Sequence, residues 1–190
     1  PVPTQHYQSS GTAGAYLNAH FRLTLDLHYT EYLQIALGLQ HPVFAQRLGR
    51  SLAESMPKGQ VVASPALGGL IIGHEVARAM GARFIFTERD PAGKMVLRRG
   101  FFLDPQETVV VVEDVVTTGG STREVIELVQ AAGSKVVGVG SIIDRSGGKV
   151  DLGVPRVALT TLNAVAWAPE ECPLCKQGLP VVKPGSRAAA

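Results

Sequence analysis

From residue 60 onward, short apolar runs alternate along the chain with stretches that carry apolar residues at helical spacing. The apolar runs predict strands at residues 60–63, 83–87, 108–112 and 135–143. The stretches between them predict helices at residues 70–80 and 121–132. Strands that alternate with helices favour an α/β fold, in which a central, mostly parallel sheet is flanked by helices on both faces.

Glycine and hydroxyl residues indicate where these two helices begin and end. Gly81 and Gly133 are expected to end them, because glycine readily adopts the left-handed conformation found after helix C-termini. Ser121 and Glu124 have the spacing of a capping box, which predicts that their side chains close the amino end of the second helix.

The first sixty residues have a less regular pattern. Residues 5–18 are mildly amphipathic and predict a helix, whereas residues 21–27 alternate apolar and polar side chains, the period of a half-buried strand. Pro42 suits the first turn of a helix that runs to about Met56. Four residues of this helix are expected to face the core: Val43, Leu48, Leu52 and Ala53.

The length of 190 residues suits a single domain, with residues 1–40 as a small hood subdomain that helps to bind a base and residues 183–190 as a loose tail. A formal net charge of +2 is too small to favour nucleic-acid binding. The sequence has no apolar run of the roughly 20 residues that a membrane span requires, which predicts no membrane partner. Because the first residues lack a signal-peptide pattern, we expect a cytoplasmic protein.

The polar segment at residues 88–100 interrupts the strand pattern and predicts a flexible flap outside the sheet. It contains one proline and two glycines, and it carries four cationic side chains: Arg89, Lys94, Arg98 and Arg99. Preorganised cations on such a flap could stabilise negative charge on a leaving group, while the closed flap excludes water. The alternative interpretation is a solvated basic loop.

The most informative stretch follows the four consecutive valines at residues 109–112, which predict a strand buried on both faces. Hydroxyls and glycines at residues 117–122 then lead into a helix. Such a turn can hold a phosphate, because glycines let the backbone approach closely and the helix amino end adds partial positive charge. Thr118, Ser121 and Thr122 can add hydroxyl donors. The turn lacks the lysine and spacing of a Walker loop, and an ordinary structural turn is the alternative.

Glu113 and Asp114 stand between the valines and this turn, where a parallel sheet presents its ligands. Two carboxylates at the end of a buried strand are unfavourable unless they meet hydrogen-bond donors or a cation. Ribose hydroxyls are suitable donors, and Mg²⁺ would suit the same oxygens. The alternative, a solvated strand end, fits Glu113 better than Asp114.

The valines, the acidic pair and the turn at residues 117–122 together resemble the phosphoribosyl pyrophosphate signature of the type I phosphoribosyltransferases. Thr117 favours the orotate branch of this family, because relatives that act on 6-oxopurines carry an aspartate there. Three further stretches resemble the same branch: residues 64–69, residues 144–148 and residues 172–175. The resemblance extends from about Phe21 to the C-terminal part of the chain.

The resemblance implies a Mg²⁺-dependent transferase of pyrimidine (UMP) biosynthesis, in which orotate and phosphoribosyl pyrophosphate give orotidine 5′-phosphate and pyrophosphate. Thr117 and Arg145 would bind orotate, and Arg145 suits its carboxylate because a guanidinium can donate two parallel hydrogen bonds. An ion pair with the neighbouring Asp144 is the alternative for that arginine. The residues implied to bind phosphoribosyl pyrophosphate are Glu113, Asp114, Val115, Val116, Thr117, Thr118, Gly119, Gly120 and Ser121.

Catalysis is assigned by the same resemblance to Asp114, Lys94 and Arg89, and Mg²⁺ to the bound substrate with Asp114 as an additional ligand. The family's flap reaches across to a neighbouring subunit, which implies a homodimer. Thr24-Leu25-Asp26 and Gly68 depart from the usual orotate pattern. Two other functions therefore stay open: transfer to another nucleobase, and a non-catalytic regulator that senses phosphoribosyl pyrophosphate.

Cys172 and Cys175 form a single CxxC pair near the C-terminal end of the chain. Such a pair can supply half of a tetrahedral zinc site, but the sequence contains no second CxxC pair. Two subunits could contribute two ligands each. The favoured interpretation is a tight local turn with reduced thiols.

Overall fold

The computed structural model describes residues 8–10, 16–22, 26–162 and 166–183. In chain order its elements are β1 (Gln8–Ser10), β2 (Tyr16–Arg22), β3 (His28–Leu33), α1 (Ile35–Leu39), α2 (Pro42–Glu54), β4 (Val61–Pro65), α3 (Gly69–Met80), β5 (Arg83–Arg89), β6 (Met95–Leu97), β7 (Thr108–Val116), α4 (Gly120–Ala131), β8 (Lys135–Asp144), β9 (Arg156–Thr161) and α5 (Pro173–Lys176). The chain divides into two units: Pro1–Gly38 with Ala164–Ala190, and Leu39–Asn163.

The first unit contains a three-stranded antiparallel sheet in the order β1-β2-β3. The C-terminal segment pairs with this sheet through backbone hydrogen bonds. Arg22 N–H donates to the Val182 carbonyl at 2.9 Å, and Val182 N–H donates to the His20 carbonyl at 2.8 Å. His28 and Trp167 form an isolated antiparallel bridge. This unit therefore combines the predicted hood segment with residues far along the chain, which the sequence did not indicate.

The helix predicted at residues 5–18 is wrong wherever the structure describes those residues, because Gln8–Ser10 and Tyr16–Arg22 are strands. Tertiary pairing overrides the weak helical pattern, since β2 lies between β1 and β3 and forms backbone hydrogen bonds with both. The strand predicted at residues 21–27 is confirmed only in its first two residues. Residues 23–25, like the predicted tail beyond Lys183, lie outside the described residues.

The second unit is built on a six-stranded sheet in the order β6-β5-β4-β7-β8-β9. All neighbouring strands in it run parallel except the antiparallel edge pair β5 and β6. β7 is central, and its four consecutive valines at residues 109–112 are fully buried. The predicted α/β fold with a mostly parallel sheet is confirmed. The edge strand β9 was not predicted, because its residues alternate little and most are only half-buried.

Helices cover both faces of this sheet. Val125 and Val129 of α4 share a hydrophobic cluster with Val109 and Val111 of β7. Since successive strand residues point to opposite faces, Val110 and Val112 face the side where α3 packs. α2 lies in turn against α3. Among the residues that the structure describes, no helix combines the length and apolar character needed to cross a membrane.

The close packing of α2 on α3 depends on a glycine. An added Cβ at Gly49 would lie 2.5 Å from the Cβ of Glu75, so a larger residue there would separate the helices. The predicted helix from Pro42 is confirmed, and Leu52 is buried as expected. Val43 was predicted to face the core and is instead 64% exposed, because the buried stripe of α2 runs through Ala45, Gly49 and Leu52.

The ends of α3 and α4 follow the glycine predictions. Gly81 ends α3 with φ 68°, and Gly133 follows α4 with φ 81°. The predicted capping box of Ser121 and Glu124 is wrong. α4 begins after Gly119 without any side-chain cap, and Glu124 forms a salt bridge with Arg89 instead.

The polar segment at residues 88–100 lies partly within the sheet, contrary to the prediction. β5 continues to Arg89, and β6 returns antiparallel to it, with Thr87 opposite Leu97 and Arg89 opposite Met95. The segment is therefore a β-hairpin with a short turn at its tip, followed by a second turn in which Gly100 has φ 76°.

Candidate active site

The candidate site lies at the carboxyl edge of the six-stranded sheet. β7 pairs with β4 only as far as Val111, opposite Ala63, whereas its pairing with β8 continues to Val116, opposite Asp144. Glu113 and Asp114 are therefore inside β7 but beyond its pairing with β4. The predicted strand ended at residue 112, so the acidic pair is held by a longer strand than expected. Both carboxyls are fixed on a rigid element at the edge where parallel sheets bind ligands.

The two carboxyls perturb each other. Glu113 is only 9% exposed, and burial together with the neighbouring Asp114 raises the pKa of Glu113 well above its usual range. Burial also raises the pKa of Asp114, although the Val115 N–H, which donates to its Oδ1 at 2.8 Å, opposes that rise. Hydrogen-bond donors or a cation supplied by a ligand would stabilise the ionised pair.

Gly68 lets the loop after β4 approach the acidic pair. A Cβ placed there would lie 2.5 Å from Oδ1 of Asp114 and 2.7 Å from its Oδ2. Gly68 departs from the usual orotate pattern. The close approach explains the glycine, because a side chain at this position would collide with Asp114. The same loop contains a cis peptide bond between Ala66 and Leu67, and the Leu67 side chain is 75% exposed.

The glycine turn after β7 opens α4. Gly119 has φ 74°, and an added Cβ would lie 2.7 Å from Val150 Cγ1, so both its conformation and its surroundings require glycine. Thr117, Thr118 and Gly120 are exposed and Ser121 is half-buried. The amides of a first helical turn have no partner within the helix, so they are available to an anion.

Three predicted site residues in this stretch present no exposed polar side chain to a ligand. Thr122 is 1% exposed, so its hydroxyl is not presented to a ligand, unlike those of Thr118 and Ser121. Val116 is also 1% exposed and Val115 is half-buried. Their apolar side chains leave the backbone as the part of these two residues that can donate to or accept from a ligand.

Arg145 begins the neighbouring loop, directly beside this turn. Its backbone N–H donates to the Val116 carbonyl at 2.8 Å, which continues the β7–β8 ladder past Asp144. Arg145 and Thr117, the two residues predicted to bind the base, therefore follow adjacent strands at the same edge. The structure brings the predicted base-binding arginine next to the predicted phosphate turn.

Asp144 holds this arginine loop in place, a role that the sequence did not reveal. Its carboxylate accepts hydrogen bonds from Ser146 N–H at 2.7 Å, Ser146 Oγ at 2.6 Å and Gly148 N–H at 3.0 Å. It also forms a salt bridge with Arg156 on β9, with Nη1 at 2.5 Å. Sequence reasoning missed Arg156 because β9 was not predicted.

Arg89 and Lys94 occupy different parts of the β5–β6 hairpin. Arg89 donates two hydrogen bonds to Glu124, at 2.8 and 2.9 Å, and its Nη2 lies 3.5 Å from Ser121 Oγ. The Glu124 carboxylate raises the pKa of Arg89. Lys94 is exposed in the hairpin turn, where its backbone N–H donates to Asp90. The structure thus brings Arg89, through Ser121, to the first turn of α4.

A family model described as "Phosphoribosyl transferase domain" matches residues 40–174. The chain therefore belongs to the phosphoribosyltransferase family. The match spans β4, the acidic pair, the glycine turn and the Asp144 loop, which are the parts of the second unit that form the candidate site.

Curated relatives narrow the family to its orotate members. The orotate phosphoribosyltransferase of Heliobacterium modesticaldum is 54% identical over 177 residues, which cover 91% of this chain and 92% of that protein. That of Thermotoga maritima is 52% identical over 176 residues, 92% of this chain and 94% of that protein. The crystal structure of orotate phosphoribosyltransferase from Aeropyrum pernix shares the fold with a TM-score of 0.67 at 24% identity, covering 79% of this chain and 89% of that chain.

Proposed function

We propose that the chain transfers the phosphoribosyl group of 5-phospho-α-D-ribose 1-diphosphate to orotate, giving orotidine 5′-phosphate and pyrophosphate. One observation carries the proposal. The hydrogen bond from Arg145 N–H to the Val116 carbonyl joins the start of the Arg145 loop to the end of β7, directly before the glycine turn. A sugar phosphate and an anionic base can therefore be held next to each other at one edge of the sheet.

The sugar phosphate is bound by the acidic pair and the glycine turn. Glu113 and Asp114 accept hydrogen bonds from the vicinal ribose hydroxyls, which supply the donors that the buried Glu113 and the half-buried Asp114 need. The 5′-phosphate lies against the first-turn amides of α4, with Thr118 and Ser121 as hydroxyl donors. The close approach of Gly68 to Asp114 fixes the carboxyl in position before substrate arrives.

The base is bound at the neighbouring loop. Arg145 donates two parallel hydrogen bonds to the orotate carboxylate, a geometry that lysine cannot reproduce. Thr117 lies one strand away and contacts the pyrimidine ring. An arginine here favours an anionic base over a neutral one, because its hydrogen bonds to a carboxylate are charge-assisted on both sides and those to a neutral base are not.

The donor set of the acidic pair also fits Mg²⁺, since hard cations prefer carboxylate and hydroxyl oxygens. Asp114 is the residue that would hold the ion together with the bound substrate. When bound, Mg²⁺ supplies positive charge to the pyrophosphate leaving group.

The β5–β6 hairpin completes the proposal as the flap. Arg89, once it leaves Glu124, and Lys94, exposed at the tip, stabilise the charge that builds on departing pyrophosphate. The flap is proposed to act on the site of a neighbouring subunit, so that the protein works as a cytoplasmic homodimer. Such sharing makes Lys94 of one subunit and Asp114 of the other parts of one site.

An activity assay tests the proposal directly. Purified protein is incubated with phosphoribosyl pyrophosphate and Mg²⁺, and orotate, uracil, adenine and hypoxanthine are offered in turn while loss of the free base is followed. Turnover of orotate is the expected result. Turnover restricted to another base would overturn the assignment of orotate, and binding of phosphoribosyl pyrophosphate without any turnover would indicate a regulator.

Two variants test the residues proposed to bind the base and the sugar phosphate. Arg145→Gln is expected to raise KM for orotate by about 10- to 100-fold, because hydrogen bonds to charged groups are worth about 1.5–3 kcal/mol each. Arg47→Gln is the matched control, since Arg47 is an exposed arginine on α2. Asp114→Asn is expected to raise KM for phosphoribosyl pyrophosphate while leaving the fold intact. Unchanged kinetics in either site variant would contradict its assigned role.

A further inference from the structure

Four metal-binding side chains converge within the first unit, remote in sequence from the acidic pair and the glycine turn. They are His20, His28, Cys172 and Cys175, and one ligand atom from each lies within 4.8 Å of the others. His20 is on β2, His28 is on β3, and the two cysteines belong to the turn that forms α5. Both cysteines are free thiols. The lone CxxC pair of the sequence therefore meets its second pair of ligands within the same chain.

The spacing of these atoms matches a tetrahedral zinc site. Zn–N bonds of about 2.05 Å and Zn–S bonds of about 2.3 Å give tetrahedral N···S edges of about 3.6 Å. The His20 Nε2 atom lies 3.4 Å from Cys172 Sγ and 3.7 Å from Cys175 Sγ. Cys175 Sγ lies 3.3 Å from His28 Nδ1. The two ring nitrogens are 2.8 Å apart, closer than the tetrahedral edge of about 3.3 Å, so the rings must separate slightly to admit an ion.

Backbone pairing brings the two halves of the cluster together. The bridge between His28 and Trp167 holds the segment before the cysteines, and Val182 N–H donates to the His20 carbonyl after them. α5 ends at a turn in which Gly178 has φ 68°. The C-terminal segment is thus hydrogen-bonded to β2 and β3 both before and after its two cysteines. This pairing brings the cysteines close to the two histidines.

A second contact orients His20 as a ligand. Its Nδ1 lies 2.9 Å from the Leu179 carbonyl, which can only accept a hydrogen bond, so Nδ1 carries the proton. This leaves Nε2, which lies beside both cysteines, as the nitrogen that can bind a metal ion. A backbone carbonyl that fixes the tautomer of a ligating histidine is a regular feature of zinc sites.

Burial and charge also fit a divalent ion. His20 is 3% exposed, His28 is 5% exposed and Cys172 is fully buried. Two thiolates and two neutral imidazoles carry a charge of −2, which a divalent cation neutralises in full. Four protein ligands fill a tetrahedral shell and leave no open position, which is the arrangement of structural rather than catalytic zinc.

We propose that His20, His28, Cys172 and Cys175 form a structural zinc site that fastens the C-terminal segment to the sheet of the first unit. Zn²⁺ is the ion expected, because a tetrahedral set of two thiolates and two imidazoles favours it among the common divalent metals. The role is independent of the transfer reaction and of the Mg²⁺ that accompanies the substrate.

Metal analysis of the full chain tests the site. The protein is purified with Zn²⁺ in the buffer and passed through gel filtration with a weak chelator, and its zinc content is measured. We expect about one zinc per chain in the wild type and in His41→Gln, which removes an exposed histidine at the start of α2. His28→Asn and Cys175→Ser are expected to lose most of it. Zinc well below one equivalent in the wild type, or retained equally by all four proteins, would overturn the proposal.

A spectroscopic measurement on the wild type keeps the test decisive if the site variants fail to fold. Co²⁺ added to metal-free protein should give the strong visible bands of tetrahedral cobalt and a thiolate-to-cobalt charge-transfer band. Zn²⁺ should then abolish these bands and protect both thiols from a thiol reagent. Only the weak spectrum of hydrated Co²⁺, with thiols that react equally fast with and without Zn²⁺, would refute the site.

Discussion

Replacing Asp144 by asparagine removes the charge that organises the arginine loop while preserving the size of the side chain. The carboxylate accepts hydrogen bonds from two backbone amides and one hydroxyl of the loop, and it forms a salt bridge with Arg156. The side chain of Asp144 is 2% exposed and that of Arg156 is 16% exposed, so solvent screens their interaction little. Asparagine also replaces one acceptor oxygen with an amide group that cannot accept, whereas Arg156 and the two backbone amides can only donate.

Asp144→Asn is expected to lower the free energy of unfolding by a large amount for a single substitution. Removing one partner of a buried ion pair typically destabilises a protein by about 3–5 kcal/mol, because the other charge is left without compensation. Asp144→Asn retains one acceptor oxygen, so we expect a loss of about 3 kcal/mol in the free energy of unfolding, near the lower end of that range. The same change should raise KM for orotate, since Arg145 is carried by the loop that loses its anchor.

Urea unfolding at neutral pH measures the first effect, and orotate kinetics measure the second. Asp151→Asn is the matched control, because Asp151 is an exposed aspartate whose Oδ1 accepts one hydrogen bond, from Gly153 N–H at 2.9 Å. We expect the control to change the unfolding free energy by about 0.5 kcal/mol or less. Wild-type stability together with a wild-type KM in Asp144→Asn would refute the role assigned to this carboxylate.

The pH dependence of stability gives an independent check on the role of Asp144. Burial alone would raise the pKa of Asp144, but hydrogen bonds from Ser146 and Arg156 outweigh it and lower the pKa below its usual range. A carboxyl whose folded pKa is lowered stabilises the protein fully above its unfolded pKa of about 3.9 and loses that contribution as the pH falls through the folded value. The stability difference between wild type and Asp144→Asn should therefore shrink below about pH 4.

Three further outcomes follow from contacts at the carboxyl edge. Gly68→Ala should raise KM for phosphoribosyl pyrophosphate, because its Cβ would displace Asp114; unchanged substrate kinetics would show that the loop can move aside. Burial and the neighbouring Asp114 raise the pKa of Glu113, so its stabilising effect is present below its unfolded pKa and is lost as the pH rises through the folded value. Glu113→Gln should accordingly raise the melting temperature of the ligand-free protein at pH 8 while weakening substrate binding, and a lower melting temperature would contradict this. Glu124→Gln releases Arg89 from a half-exposed salt bridge worth about 1 kcal/mol or less, so stability should barely change, whereas kcat should respond if Arg89 moves to the leaving group.

The central part of the site could be predicted from the sequence because its determinants are local. Four valines specify a buried strand, and the acidic pair follows without a break. Gly119 then supplies a positive φ at the start of α4. Each of these features depends on neighbours within a few residues, so a linear pattern contains most of the information needed.

Interactions between residues far apart in the chain could not be predicted from such local patterns. Ser121 and Glu124 have the spacing of a capping box, but Arg89, 35 positions before Glu124, competes for its carboxylate. The role of Asp144 depends on Arg156, which lies on an edge strand without a clear pattern. The position of His20 beside a cysteine could not be predicted either, because Cys172 is 152 positions away in the chain.

The pairing of β2 and β3 with the C-terminal segment has a consequence for the time at which each unit can fold during synthesis. His20, His28 and Arg22 are made early, whereas their backbone partners Trp167 and Val182 emerge only after the whole Leu39–Asn163 unit. At a synthesis rate of about 5–20 residues per second, the early strands wait about 8–30 s for those partners. We expect the second unit to become protease-resistant on the ribosome first, and the first unit only once Trp167 and Val182 have emerged. Protease resistance of residues 16–33 in nascent chains that stop before residue 166 would contradict this order.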